Sequence, residues 1–203
     1  MDETQRMWED RYASGRGSPD GGQPHPEVTA LLDRLADERA GRTPTALDLG
    51  SGTGRHTLAL ALAGYDPTAV DSSPSAVRIL TDALAERGLP GRVLTADLRT
   101  WHPEQEKAAA VVPPRFDLVV AVYFHDDLTL LRRAAEWLAP GGTLLWIAHA
   151  PDSVTGPPAG VPRPELLEAL AVLEGKELDF QRAEEVPTSG IALDVVLEAR
   201  RPG

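Results

Sequence analysis

The sequence predicts an α/β fold, a doubly wound three-layer sandwich around a mostly parallel seven-stranded sheet with an antiparallel final strand. Three observations carry that expectation. Short apolar runs alternate with helical patterns from residue 45 to residue 149, the rhythm that parallel strands with crossover helices produce. Three glycines, Gly50, Gly52 and Gly54, stand between the first apolar run and the helix after it. The last two apolar runs are joined by Pro187-Thr188-Ser189-Gly190, which is too short for a crossover helix and implies an antiparallel hairpin.

Taken in order, residues 5–13 form an amphipathic segment and read as a short helix, followed by a loop rich in Gly, Ser and Pro. Val28, Leu31, Leu32, Leu35 and Ala36 recur at helical spacing, which predicts a helix over 26–40 with Gly41 as its stop. A strand is expected over 45–49, a helix over 54–63, a strand over 68–71, a helix over 74–87 and a strand over 92–96. Residues 98–115 break the rhythm with charge and proline and read as a loop. It resumes with a strand over 117–123, a helix over 128–138, a turn at Pro140-Gly141-Gly142 and a strand over 143–149. A Pro- and Gly-rich loop over 151–162, a helix over 164–173 and strands over 177–183 and 191–200 close the chain.

At 203 residues one domain is expected, with an N-terminal segment 1–25, a core 26–150 and a C-terminal helix and hairpin 151–203. No apolar run approaches the length of a membrane span, and the polar, acidic N-terminus lacks the pattern of a secretory leader, so the cytoplasm is the expected compartment. Cysteine is absent, which excludes disulfides, thiolate nucleophiles and cysteine-ligated metal from this chain's chemistry. The net charge is -11 and the basic residues are scattered, so nucleic acid and membrane are not expected partners. A small molecule is, with the chain a monomer or homodimer.

Leu47-Asp48-Leu49-Gly50-Ser51-Gly52-Thr53-Gly54 places its glycines where the backbone must turn tightly and approach a ligand, beside the amide donors of a helix N-terminus. A nucleotide-like or carboxylate ligand suits that environment. The dinucleotide fingerprint requires a third glycine three residues after the second, and that position is Arg55. Asp71 ends the following strand, where a carboxylate accepts from both hydroxyls of a ribose.

The glycine motif, Val70-Asp71-Ser72-Ser73, Thr95-Ala96-Asp97-Leu98, Phe116-Asp117-Leu118-Val119 and Leu138-Ala139-Pro140-Gly141-Gly142-Thr143-Leu144 occur in the order seen in class I S-adenosylmethionine-dependent methyltransferases, and the chain resembles that family over roughly residues 26–150. The resemblance implies a Rossmann-like methyltransferase fold and S-adenosylmethionine as cofactor. Gly50, Gly52 and Gly54 would wrap the methionine part with Asp48 at its amino-acid end. Asp71, with Ser72 beside it, would take the ribose. Asp97 and the Leu98 backbone would face the adenine, and the segment starting at Val122 would line the transfer site. Trp8-Glu9-Asp10-Arg11-Tyr12 resembles the N-terminal segment of tellurite-resistance and thiopurine methyltransferases, which helps to cover the pocket. That implies a lid-like 1–25. An Asn-Pro-Pro-Tyr-type motif is missing after the fourth strand, which puts amino-methylation of bases or glutamine in doubt, and no metal motif is recognisable.

Methyl transfer is an in-line displacement at a sulfonium carbon, in which alignment in a water-poor site does most of the work. A base is required only for an acceptor that is protonated at working pH. His125, after the fourth strand, and His149, ending the fifth, lie at the carboxyl edge and are the candidate catalytic groups. The alternative for His149 is a loop residue bonded to backbone. His56 is expected to pack as a neutral imidazole, and His25 and His102 to lie on the surface. Trp8, Tyr12 and Tyr123 are candidates to line the substrate site, and Arg11 to meet an anionic substrate, against the alternatives of core packing and solvated charge. An NAD-type oxidoreductase and a module that binds S-adenosylmethionine without transfer remain the competing readings.

Overall fold

The computed structural model describes residues 2–15, 22–39, 41–105, 112–124, 128–149, 173, 177–187 and 193–203. The chain divides into two compact units, residues 1–114 and 115–203.

In the first unit, helix α1 (Glu3–Ala13) starts in a capping box, Asp2 accepting from the Gln5 amide while the Gln5 side chain accepts from the Asp2 amide. None of its residues is buried. Helix α2 (Pro26–Arg34) buries Val28, Leu31 and Leu32, the expected face. It ends before the expected 40, and Asp37–Arg39 continues as one 3-10 turn. Its N-cap is His25, whose Nδ1 accepts from the Glu27 amide. His25 is 6% exposed and therefore no surface residue: its side chain caps α2 and its amide donates to the buried His56 ring.

Strand β1 (Thr45–Leu49), helix α3 (Arg55–Leu62), strand β2 (Asp66–Asp71), helix α4 (Pro74–Arg87) and strand β3 (Arg92–Thr95) follow the expected alternation. β2 begins two residues early, and its Pro67 is tolerated because it falls at the start of the strand. Thr45 pairs with Asp66 and Thr68 with Arg92, both in parallel register, giving the order β3-β2-β1. Leu58 and Ala61 of α3 pack with Leu80, Ala83 and Leu84 of α4 and Ala69 of β2. Ser73 caps α4 through the Ala76 amide, and Gly88 ends it in the left-handed conformation.

The second unit contains strand β4 (Phe116–Val122), helix α5 (Leu128–Glu136), strand β5 (Leu138–His149), strand β6 (Asp179–Pro187) and strand β7 (Leu193–Arg200), in the order β4-β5-β7-β6. β4 and β5 are parallel, while β7 runs antiparallel to both β5 and β6, as the short hairpin connection requires. Leu118, Val119, Val120, Leu144 and Ile147 are fully buried, so these strands carry near-continuous apolar runs. The Pro140-Gly141-Gly142 turn lies inside β5: Phe116 pairs with Leu138 but Leu118 with Thr143, an irregularity that absorbs the turn without ending the strand. A Cβ on Gly142 would stand 2.8 Å from the Phe116 carbonyl, so glycine is needed for that close approach. The expected helix over 164–173 lies outside the described residues apart from helical Leu173. No helix among the described residues is long and apolar enough to cross a membrane.

Candidate functional site

In the first unit the glycine loop joins β1 to α3. The amides of Gly50 and Ser51 both donate to the Val70 carbonyl, at 2.9 and 3.2 Å, so the loop is tied to the end of β2. Gly54, at φ 96°, caps α3 without any side-chain hydrogen bond, which leaves the helix N-terminus to its own amides. A Cβ there would stand 2.1 Å from Leu80 Cδ1, so only glycine fits. Ser51 Oγ is buried and has no hydrogen-bond partner in the structure. A buried hydroxyl in that condition costs free energy unless a ligand supplies the partner.

Two acids flank this loop. Asp48 is 1% exposed and accepts from Thr57 Oγ1 at 2.5 Å, and its burial pushes its pKa up to about 6. Asp71 accepts from the Gly52 amide through Oδ2 and from the Ser73 amide through Oδ1, both at 2.8 Å. Burial raises its pKa against those bonds and one from the Ser72 amide. A carboxylate offers about four acceptor sites, so Asp71 keeps capacity for ligand hydroxyls while it holds the loop. Past β3 the Ala96 amide donates to the Asp71 carbonyl, which brings Asp97 and Leu98 to the same end of the sheet. Asp97 accepts from Arg99 Nη2 at 2.6 Å, a contact that holds its carboxyl far below the usual range, and Leu98 is buried. Arg99 also donates to Asp2 at the start of α1.

Helix α1 reaches this loop from its tyrosine. A Cβ on Gly52 would stand 2.8 Å from the Tyr12 hydroxyl, and desolvation of the half-buried ring, followed by the charge of Asp71, raises that phenol to about 12. Trp8 and Tyr12 stack at 5.8 Å, and the Arg11 guanidinium lies 5.4 Å over the Trp8 ring. Glu9, which sequence reasoning did not single out, accepts from Ser73 Oγ at 2.5 Å, Ser75 Oγ at 2.6 Å and the Ser75 amide at 3.1 Å. Its partners are 64 and 66 residues away, so no local pattern announced them. His56 is buried and accepts from the His25 amide at 3.3 Å; desolvation holds it well below the usual histidine pKa, the neutral imidazole expected of it.

In the second unit Val122 ends β4, buried, and Tyr123 follows at φ 59°, a conformation rare for a bulky residue and costing about 1–3 kcal/mol. Its amide donates to the Ile147 carbonyl at 2.8 Å and its hydroxyl to Asp194 at 2.5 Å. His149 ends β5 directly opposite Asp194 of β7, with Nδ1 3.0 Å from Asp194 Oδ1. The Tyr123 and His149 rings stack at 4.0 Å. Asp194 escaped sequence reasoning, although an acid inside the apolar run Leu193-Asp194-Val195-Val196-Leu197 was a signal, since a buried charge demands partners. His125 lies outside the described residues. No group of three or more His, Asp or Glu able to hold a metal occurs among the described residues.

Residues 46–142 match the model of a family described as a methyltransferase domain. The chain is 34% identical over 129 residues, 59% of its length, to ribosomal RNA small subunit methyltransferase C of Alcanivorax borkumensis, and covers 36% of that protein. It spans between 17% and 52% of the length of the curated relatives it matches. Among solved structures it is similar to the N-methyltransferase NodS of Bradyrhizobium japonicum in complex with S-adenosylhomocysteine, with TM-score 0.68, 21% identity and full coverage of both chains. It is also similar to TehB of Haemophilus influenzae, with TM-score 0.66, 21% identity, 88% of this chain and 62% of that one. At these identities the likeness shows the fold, the seven-stranded Rossmann-like methyltransferase fold with antiparallel final strands.

Proposed function

We propose that the chain is a class I S-adenosylmethionine-dependent methyltransferase and transfers the donor's methyl group to a small-molecule acceptor, a reading that the methyltransferase-domain match over residues 46–142 supports. The observation that carries this reading is the loop between Asp48 and Asp71. It combines an uncapped helix N-terminus, an unpartnered buried hydroxyl at Ser51, and a buried carboxylate bonded to the Gly52 amide. Those groups suit a ligand that carries an amino-acid end and a ribose.

In this reading Gly50, Gly52, Gly54 and Ser51 hold the amino-acid end, and Asp48 balances its ammonium. Asp71 and Ser72 take the ribose, Asp97 and Leu98 flank the adenine, and Val122 borders the sulfonium. The bound donor supplies a methyl group on positively charged sulfur, activated for displacement. The chain's own part is to bind, align and exclude water. Trp8 and Tyr12 cover the loop, and their faces favour a cationic ligand. Tyr123, His149 and Arg11 serve the acceptor, as does His125. The net charge of -11 supports a small acceptor rather than RNA, whose phosphates it would repel.

Calorimetric titration with S-adenosylmethionine and S-adenosylhomocysteine, with NADH as control, tests the reading. Saturable binding of the adenosyl pair is expected, weakened at least tenfold in Asp71→Asn with the thermal unfolding transition retained; one lost charge-assisted hydrogen bond of about 1.5–3 kcal/mol suffices. Binding of NADH alone, or of none of the three by folded protein, would overturn it.

A further inference from the structure

We propose that His149 is a general base whose imidazole is set by Asp194, and that the acceptor is therefore a protonated hydroxyl, such as a phenol, rather than a thiolate or metalloid anion. The inference rests on the transferase reading above. Asp194 is fully buried at the start of β7, where a lone carboxylate is unfavourable, and its two oxygens face the two side chains stacked at the carboxyl edge. Oδ2 accepts the Tyr123 hydroxyl at 2.5 Å, and Oδ1 lies 3.0 Å from His149 Nδ1. An acceptor-only group opposite Nδ1 fixes the tautomer: the proton sits on Nδ1 and the basic lone pair on Nε2. The His149 side chain keeps 18% of its surface exposed, whereas Asp194 keeps none. The carboxylate is thus a positioning group and the imidazole is the one with access to solvent.

A second feature is the backbone of Tyr123. Its φ of 59° is tolerated only because surrounding contacts over-determine it, and that conformation lays its ring on His149 while its hydroxyl completes Asp194.

In the step, Nε2 takes the proton of the acceptor hydroxyl. The oxygen lone pair forms the new O–C bond as the C–S bond breaks and its electron pair returns to sulfur. The positive charge lost from sulfur appears as the imidazolium, which Asp194 balances. Anions already deprotonated at neutral pH gain nothing from such a base.

The experiment combines long-range proton–nitrogen correlation spectra of His149 with turnover of two probes, phenol and thiophenol. The spectra should show the proton on Nδ1 in the parent protein, and a loss of that preference in Asp194→Asn. His149→Gln should lower kcat for phenol at least 100-fold while thiophenol transfer and donor affinity stay within about threefold. Should Asp194→Asn not fold, Tyr123→Phe, which leaves the dyad intact, should keep the Nδ1 proton. Methylation of thiophenol but not phenol, equal loss for both probes in His149→Gln, or a proton on Nε2 in the parent would overturn the proposal. If neither probe is methylated, the tautomer decides. Failure of donor binding would instead sink the transferase reading, with the tautomer still reporting on the dyad.

Discussion

Asp48 is a carboxylate in surroundings that disfavour its charge. Burial raises it to about 6, against an unfolded value of about 3.9, so between about pH 4 and pH 6 the native state holds a proton that the unfolded chain has released. Stability contributed by this group is therefore full below pH 4, falls as pH rises through the window, and is flat above it, a loss of about 3 kcal/mol. Asp71 is shifted the same way, so the wild-type slope is a sum. Asp48→Asn should remove its share: urea unfolding at pH 4.5 and pH 7 should show a markedly smaller decline in the variant than in the parent. Identical slopes would mean that Asp48 titrates normally. The acids of the glycine loop and of β2 were legible in the sequence because backbone geometry places them: a strand end next to glycines has one arrangement. Asp194 was not, because its partners Tyr123 and His149 lie 71 and 45 residues away and only strand register unites them.

Helix α1 shows why element prediction and element attachment differ. Its amphipathic segment made the helix readable from residue 5, yet with no residue buried its docking rests on polar contacts and on Tyr12. Glu9 gathers three donors at the N-terminus of α4, where the helix dipole also favours an anion, and those bonds hold its carboxyl below the usual range. The contact is present above the ordinary carboxylate range and is lost as pH falls through the lowered folded value. Glu9→Ala should raise amide exchange throughout α1 at least tenfold, while global stability changes by under about 1 kcal/mol, since the side chain is part-exposed and screened. Unchanged exchange would show that Tyr12 and the Arg99–Asp2 pair hold the helix without Glu9. Strand and helix types were otherwise legible from periodicity. The differences sit where local signals compete: α2 stops at Arg34 instead of 40, and β5 runs through Pro140-Gly141-Gly142 because pairing with β4 overrides the turn chemistry.

For the whole molecule, charge separates two acceptor classes that the fold leaves open. Over 129 residues the chain is 34% identical to a ribosomal RNA methyltransferase, of which it spans 36%. Methyl transfer to RNA requires the phosphate backbone to be held, and each phosphate contact releases counterions only if a Lys or Arg neutralises it. Here 31 acidic residues outweigh 20 basic ones, and three of the described arginines, Arg92, Arg99 and Arg182, are committed to carboxylates within their own unit. A field of that sign lowers the local concentration of a polyanion and leaves a neutral phenol unaffected. The topology and the glycine loop were readable from order and spacing, whereas acceptor choice depends on side chains that only folding brings together. Anisotropy of a labelled RNA hairpin at low salt should stay flat up to about 100 μM protein, a range in which ordinary non-specific nucleic-acid binders saturate. Saturable RNA binding that weakens steeply with added salt would show that a local basic surface overrides the net charge, and the small-molecule assignment would fall with it.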